Sequence, residues 1–138
     1  MIVKSVFLAC DPSRAFALFT EQAGLWWPAA RRHSKDAKST IRMEANGRFF
    51  ERSNEGAEVV LGLVRHFEPA RRLLLDWYPG TGPEHPTRVE ITFEAVDGGT
   101  RVTVQHSPGS ADSAAFGGNA PGYDRSWDLV LASVASHG

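Results

Sequence analysis

The chain has a single cysteine, Cys10, which excludes an internal disulfide and any cysteine-based zinc site. Long apolar runs are missing too. The longest, Val59 to Val64, is broken by Gly62 and falls far short of the ~20 residues a spanning helix needs. Neither sign of charge is in excess: the formal net charge is -1. Lys and Arg are scattered, apart from Arg31, Arg32 and His33 with nearby Lys35 and Lys38. A nucleic-acid binder usually carries a basic stripe and a clear positive balance. Nucleic acid is therefore not an expected partner, and the small basic cluster reads as a solvated loop. Met1 to Lys4 run straight into a strand pattern, without the basic, apolar and small-residue segments of an export signal. The expectation is a cytoplasmic protein with no membrane partner.

Local catalytic and metal motifs are equally scarce. His33, His66, His85, His106 and His137 form neither H-E-x-x-H nor any other paired metal-ligand spacing, so no metal is expected. Gly80 and Gly82 lack the third glycine and the helix of a dinucleotide-binding turn, and no cofactor is expected. The G-x-S-x-G nucleophile elbow is absent. No catalytic residue is assigned from these patterns. An active site assembled from distant residues stays open.

What is present is an ordered series of elements. The length of 138 residues and the hydrophobic fraction of 42% suit one domain spanning 1–138 with one core. Ile2 to Cys10 is β-branched and aromatic, which predicts a strand, and Cys10 at its end reads as a small buried filler. Asp11 and Pro12 then predict an N-cap and first helical residue, because proline's missing N–H would be unpaired there anyway. Ala15, Phe16, Leu18 and Phe19 give that short helix an apolar side, and Glu21 to Trp27 predicts a second one. From Ser39 the period changes to two. Strands are predicted at Ile41 to Ala45, Arg48 to Arg52, Val59 to Phe67, Leu73 to Tyr78, Arg88 to Ala95 and Thr100 to His106. Asn46-Gly47 and Asp97-Gly98 are hairpin turns. Such spacing predicts an antiparallel meander. Ser107 to Gly122 is rich in Ser, Gly, Ala and Pro and reads as a mobile loop. Tyr123, Trp127, Val130, Leu131 and Val134 then recur at helical spacing.

Laid out this way, the chain resembles the START-like (SRPBCC) superfamily, and within it the bacterial relatives of the Hsp90-ATPase activator C-terminal domain. The resemblance rests on Ala9 to Ser13 with Phe16 and Phe19, on Trp26-Trp27-Pro28, and on Gly47-Arg48-Phe49. Phe67 to Trp77, with its E-P-x-R-R-L-x-L-x-W pattern, is the most characteristic piece. Val89 to Phe93 and Gly98 to His106 complete it. One departure is Gly122-Tyr123 opening the last helix where relatives often have Gly-Trp, with Trp127 further on. The resemblance implies an α+β helix-grip (START-like, Bet v 1-like) fold. There a curved antiparallel sheet wraps a long C-terminal helix, two short helices follow the first strand, and a cavity lies between sheet and helix. In the superfamily that cavity takes lipids, sterols, polyketides or plant hormones, and in some branches it carries out cyclisation.

Period-two parity selects what faces that interior. Leu73, Leu75 and Trp77 share one face, as do Val89, Ile91 and Phe93, and Val102, Val104 and His106. His106 then sits among hydrophobes and needs a partner from the protein, water or a ligand. Trp26 and Trp27 are adjacent, so one is expected in the core and the other at a cavity rim. Tyr123 and Trp127 lie one helical turn apart on the apolar face of the last helix. The candidate ligand-binding residues are thus Trp26, Trp27, Trp77, Phe93, Val104, His106, Tyr123 and Trp127. Arg42, Arg48, Glu51 and Arg65 are expected on the outer, solvated face of the sheet.

The leading expectation is a binding protein for a small hydrophobic molecule. A cyclase- or aromatase-type enzyme with His106 moving a proton, and a module that stimulates a chaperone ATPase, are the alternatives. An exposed edge strand makes a homodimer a further possibility.

Overall fold

The computed structural model describes residues 1–32, 34, 38–78, 86–109 and 113–137. Strand β1 (Ile2–Leu8) is followed by helix α1 (Pro12–Phe19) and two single 3₁₀ turns, Ala23–Leu25 and Ala29–Arg31. Six strands come next: β2 (Thr40–Met43), β3 (Arg48–Arg52), β4 (Glu58–Glu68), β5 (Arg72–Trp77), β6 (Thr87–Val96) and β7 (Gly99–Ser107). Helix α2 (Ser113–Ala135) closes the chain. The strands form one seven-stranded antiparallel sheet in the order β1-β7-β6-β5-β4-β3-β2. It curls into a half-barrel that grips α2, which is the helix-grip fold expected from the sequence.

Local chemistry accounts for the punctuation. Asp11 Oδ1 accepts the Arg14 backbone N–H at 2.8 Å, and Pro12 occupies the first turn, so α1 starts where the Asp-Pro pair placed it. Gly47 and Gly98 have φ of 103° and 81°, the left-handed values that the two hairpin turns require. Gly62 answers a different need. A Cβ there would lie 2.2 Å from the Asp76 carbonyl oxygen and 3.0 Å from the Phe49 ring, so only glycine lets β4 pass between them.

The parity reading of the sheet holds. Leu73, Leu75, Val89, Ile91, Val102, Val104 and His106 all face inward and are fully buried, and Trp77 and Phe93 nearly so. On the outer face, Arg65 clamps Asp76 through Nε at 2.8 Å and Nη2 at 2.6 Å, and Arg48 and Arg52 stack over Phe50. On the inner side, α2 is tied down at both ends of its packing. Lys4 of β1 bridges Asp124 at 2.9 Å and Asp128 at 3.0 Å, and Ser133 Oγ donates to the Trp26 carbonyl. The two carboxylates raise the Lys4 pKa above its ordinary value.

Several expectations are corrected. The residues Ser113 to Gly122, read as part of a mobile loop, form the first half of α2 despite Pro121 within them. Tertiary packing overrides their poor propensity, because Phe116 is buried against the His106 and Tyr123 rings. The second short helix, expected over Glu21 to Trp27, is a single 3₁₀ turn at Ala23–Leu25, and a further turn, Ala29–Arg31, forms in the segment read as a polar loop. Glu51 points inward and is 1% exposed, since it shares the parity of Phe49 rather than that of Arg48. Arg32 is not part of a solvated loop. It is 3% exposed and donates to the carbonyls of Trp27 (3.1 Å), Ser39 (2.8 Å) and Gly24 (2.7 Å), and to Ser39 Oγ (2.9 Å). Cys10 lies just past the end of β1 and is half-buried, and desolvation pushes its thiol pKa up. His33, Lys35, Gly80, Gly82, His85 and the turn that follows Tyr78 lie outside the described residues.

Candidate functional site

Two inward strands and the helix they grip bring His106, Thr87 and Trp127 together. Trp127 Nε1 is 3.0 Å from His106 Nδ1, and an indole N–H can only donate, so Nδ1 must be the unprotonated acceptor. The imidazole proton is therefore on Nε2, which donates to Thr87 Oγ1 at 2.6 Å. Thr87 passes its own proton on to the Trp77 carbonyl at 3.1 Å. The result is one directional relay from α2 through β7 and β6 to β5. Every atom in it is partnered. The ring is wholly buried, and desolvation, followed by a smaller push from the N-terminal ammonium, lowers the His106 pKa from 6.5 to about 4. His106 is thus a neutral imidazole near neutral pH, with both nitrogens engaged.

Around this relay the aromatic rings run in an unbroken file. Phe93 meets Phe16 and Phe19 at 5.2 and 5.7 Å between centroids, Phe19 meets Trp26 at 5.2 Å, and Trp26 meets Trp27 at 5.3 Å. Trp27 continues to Trp77 at 6.2 Å, and Trp77 to Trp127 at 5.1 Å. His106 is then covered by Tyr123 at 4.4 Å and Phe116 at 5.4 Å. The space between sheet and α2 is occupied along this file by side chains in contact.

Seven of the eight candidate residues belong to that file, and Val104 is buried in the apolar core cluster that surrounds it. The expectation that only one of Trp26 and Trp27 enters the core is corrected. Both indoles are buried, and Trp26 Nε1 donates to the Leu18 carbonyl at 2.7 Å. Trp26 has φ -128° and ψ -8°, neither helical nor extended, so neighbouring side chains need not diverge. Tyr123 is half-buried, and desolvation raises its pKa.

Sequence reasoning missed three members. Thr87 carried a signal, since it shares the parity of Val89, Ile91 and Phe93. Phe116 was the lone aromatic of a small-residue segment. Arg32 had no local signal, because its four acceptors come together only when the two 3₁₀ turns fold beside β2.

Two clefts open elsewhere among the described residues. One of about 150 Å³ lies beside Ser34, Glu51 and Ser53, where the Ser34 N–H donates to Glu51 Oε2 at 3.0 Å and the Ser34 hydroxyl does so too. The other, of about 420 Å³, lies between α1, β2 and the β4–β5 turn. Among the described residues, no group of three or more His, Cys, Asp or Glu is placed to hold a metal ion. No described helix is long and apolar enough to cross a membrane.

An antiparallel sheet gripping a long C-terminal helix, with an aromatic interior ending in a buried histidine, defines a helix-grip protein of the START-like class. The family described as activator of Hsp90 ATPase homolog 1-like protein matches residues 9–135, and the chain belongs to that family. Among solved structures it is similar to CalC, a self-sacrificing resistance protein from Micromonospora echinospora. That match has 27% identity and a TM-score of 0.74, and covers 99% of this chain and 92% of CalC. A structural-genomics target from Nitrosomonas europaea shares the fold at 14% identity and a TM-score of 0.67, over 98% of this chain and 91% of the other. So does the Aha1 dimer from Colwellia psychrerythraea, at 18% identity and a TM-score of 0.58, over 97% and 92%. No curated protein matches the chain.

Proposed function

We propose that this protein binds a small, largely apolar molecule between the sheet and α2, against Trp26, Trp27, Trp77, Phe93, Val104, Tyr123 and Trp127, with His106 at the polar end. One observation carries this reading. The segment that covers His106 is poorly suited to remain helical. It contains Gly117, Gly118, Pro121 and Gly122 within ten helical residues. Relative to alanine, three helical glycines and one proline cost roughly 6 kcal/mol of helix propensity. Nothing lies within 4 Å of a Cβ built on any of these glycines, so packing does not require them. The first half of α2 is held down by Phe116 on the His106 and Tyr123 rings, and its displacement opens the aromatic file from one end. Membership of a helix-grip family supports the same reading.

Native mass spectrometry of the gently purified protein, with denaturing extraction of anything bound, tests it. A co-purifying molecule of low mass, or saturable quenching of the tryptophans by an apolar probe, is the expected result. The double variant Gly117→Ala/Gly118→Ala stiffens the cover and is expected to slow binding. No ligand, no quenching and no effect of stiffening would sink the proposal.

The similarity to CalC, a self-sacrificing resistance protein, favours a second reading, in which this protein too is consumed as it confers resistance. Intact-mass analysis after challenge separates the two: simple binding is reversible, whereas self-sacrifice leaves a covalent change at one event per chain. A proton-transferring enzyme is less well supported, because both nitrogens of His106 already have partners.

The β1 edge of the sheet, with Val3 55% and Phe7 52% exposed, offers a place for a second copy to pair. Native mass spectrometry reports that as well.

A further inference from the structure

A proton on His106 and the helix that covers it compete for the same space. Trp127 Nε1 places its N–H on Nδ1 at 3.0 Å, and Nε2 gives its own proton to Thr87 Oγ1 at 2.6 Å. A second proton therefore meets the Trp127 N–H head on. Turning the ring over does not help, because both nitrogens of an imidazolium are donors. The remaining ring neighbours are Trp77, Phe116 and Tyr123, with centroids at 6.3, 5.4 and 4.4 Å. Aromatic faces attract a cation weakly, and they do not replace an oxygen acceptor or lost hydration. The acceptor has to be water, and the closed fold leaves the ring 0% exposed.

Only one side of the ring can give way. The second half of α2 is pinned: Lys4 bridges Asp124 and Asp128, Ser133 is bonded to the Trp26 carbonyl, and Trp127, Val130, Leu131 and Val134 are buried. Immediately before Asp124 come Gly117, Gly118, Pro121 and Gly122, and Pro121 has no N–H to bond the preceding turn. The helix thus has its weak point between a fixed half and a half held on His106 by Phe116.

The charges around the ring do not oppose this competition. On β1, the N-terminal ammonium acts on His106 and repels a proton, and Lys4 is engaged by Asp124 and Asp128 of α2. Burial pushes the Tyr123 phenol of α2 up, so it stays neutral. Thr87 of β6 and Trp77 of β5 carry no charge.

We propose that the contact of His106 with Trp127 and Phe116 is an acid-operated latch, in which protonation of the imidazole frees the first half of α2 to bend away at Pro121 and Gly122 and opens the apolar space beneath. As regulation of the ligand site it rests on the binding proposed above, but the movement itself requires no ligand. With the cover off, the hydrated ring titrates near 6.5, against about 4 beneath it. Opening is therefore favoured about thirtyfold more at pH 5 than at pH 7.5.

Amide hydrogen exchange of residues 116–123 at the two pH values, divided by the intrinsic chemical rate at each, reads the latch directly. The expected result is a rise of about thirtyfold that is insensitive to low urea, while Val89, Ile91 and Val104 stay protected. His106→Gln keeps an acceptor and a donor but cannot titrate, and is expected to abolish the rise. Trp127→Phe, which removes the opposing N–H, is expected to shrink it and serves if the glutamine variant does not fold. The latch is overturned if exchange does not change with pH, or if the sheet amides rise with the helix in a urea-dependent way. It is also overturned if the rise survives intact in whichever variant folds. Stopped-flow binding of the neutral fluorophore N-phenyl-1-naphthylamine, expected to be faster at pH 5 by a similar factor, tests the ligand site separately. A pH-dependent exchange without saturable binding supports the latch and rejects only the ligand site.

Discussion

Trp127 donates its indole N–H to His106 Nδ1 across 3.0 Å, and this bond decides the protonation of the most buried titratable ring among the described residues. A second proton on His106 would have to sit on the nitrogen that faces that N–H. Trp127→Phe keeps an aromatic ring but leaves Nδ1 buried without a donor. The expected loss is about 1–3 kcal/mol in urea unfolding. A change within experimental error would mean that water replaces the indole.

The same relay makes stability pH-dependent. The folded-state pKa of His106 is about 4, below the unfolded value near 6.5, so the unfolded chain takes up a proton first as pH falls. Above pH 6.5 both states are neutral and the full contribution is present. Between 6.5 and about 4 it declines by up to ~1.4 kcal/mol per pH unit, and below that it levels off. Unfolding free energies at pH 7 and 4.5, compared between the parent and His106→Gln, isolate the effect. A parent and variant with the same slope would rule it out.

Arg32 ties three separate backbone carbonyls together, and lysine lacks the planar fork to do so. Arg32→Lys should cost roughly 2–4 kcal/mol, since at least two buried carbonyls lose their donor. Thermal unfolding followed by circular dichroism reports it. A shift smaller than that of an average surface substitution would show the carbonyls to be hydrated instead.

Ala70 sits at φ 64°, where L side chains are strained. Ala70→Gly removes that strain, worth ~1–2 kcal/mol, and offsets part of it through the freer unfolded chain. A net gain of a few tenths to about 1 kcal/mol is expected by chemical denaturation, and a net loss would show that the turn is held by contacts of the Ala70 methyl.

The candidate site divides by physical cause. Trp77, Phe93, Val104 and His106 were legible as inward residues because alternation along a strand is a covalent fact about side-chain direction. Tyr123 and Trp127 were legible for the corresponding reason on a helix. The pair Trp26 and Trp27 was misread because their backbone follows neither period. Glu51 was misread by grouping it with Arg48, which has the opposite parity.

Strand alternation, turn residues, the Asp11-Pro12 cap and the spacing of the last helix are local, and the sequence by itself determined the meander, the grip and most of the inward set. Three things only the tertiary structure decided. Packing of Phe116 on His106 made helix out of a segment whose glycines and proline argue for a loop. Convergence of Trp27, Gly24 and Ser39 turned Arg32 from a surface charge into a buried tie. The meeting of β5, β6, β7 and α2 made His106 a neutral, fully partnered ring. Each depends on residues brought together from separate elements, and no period in the sequence encodes that distance.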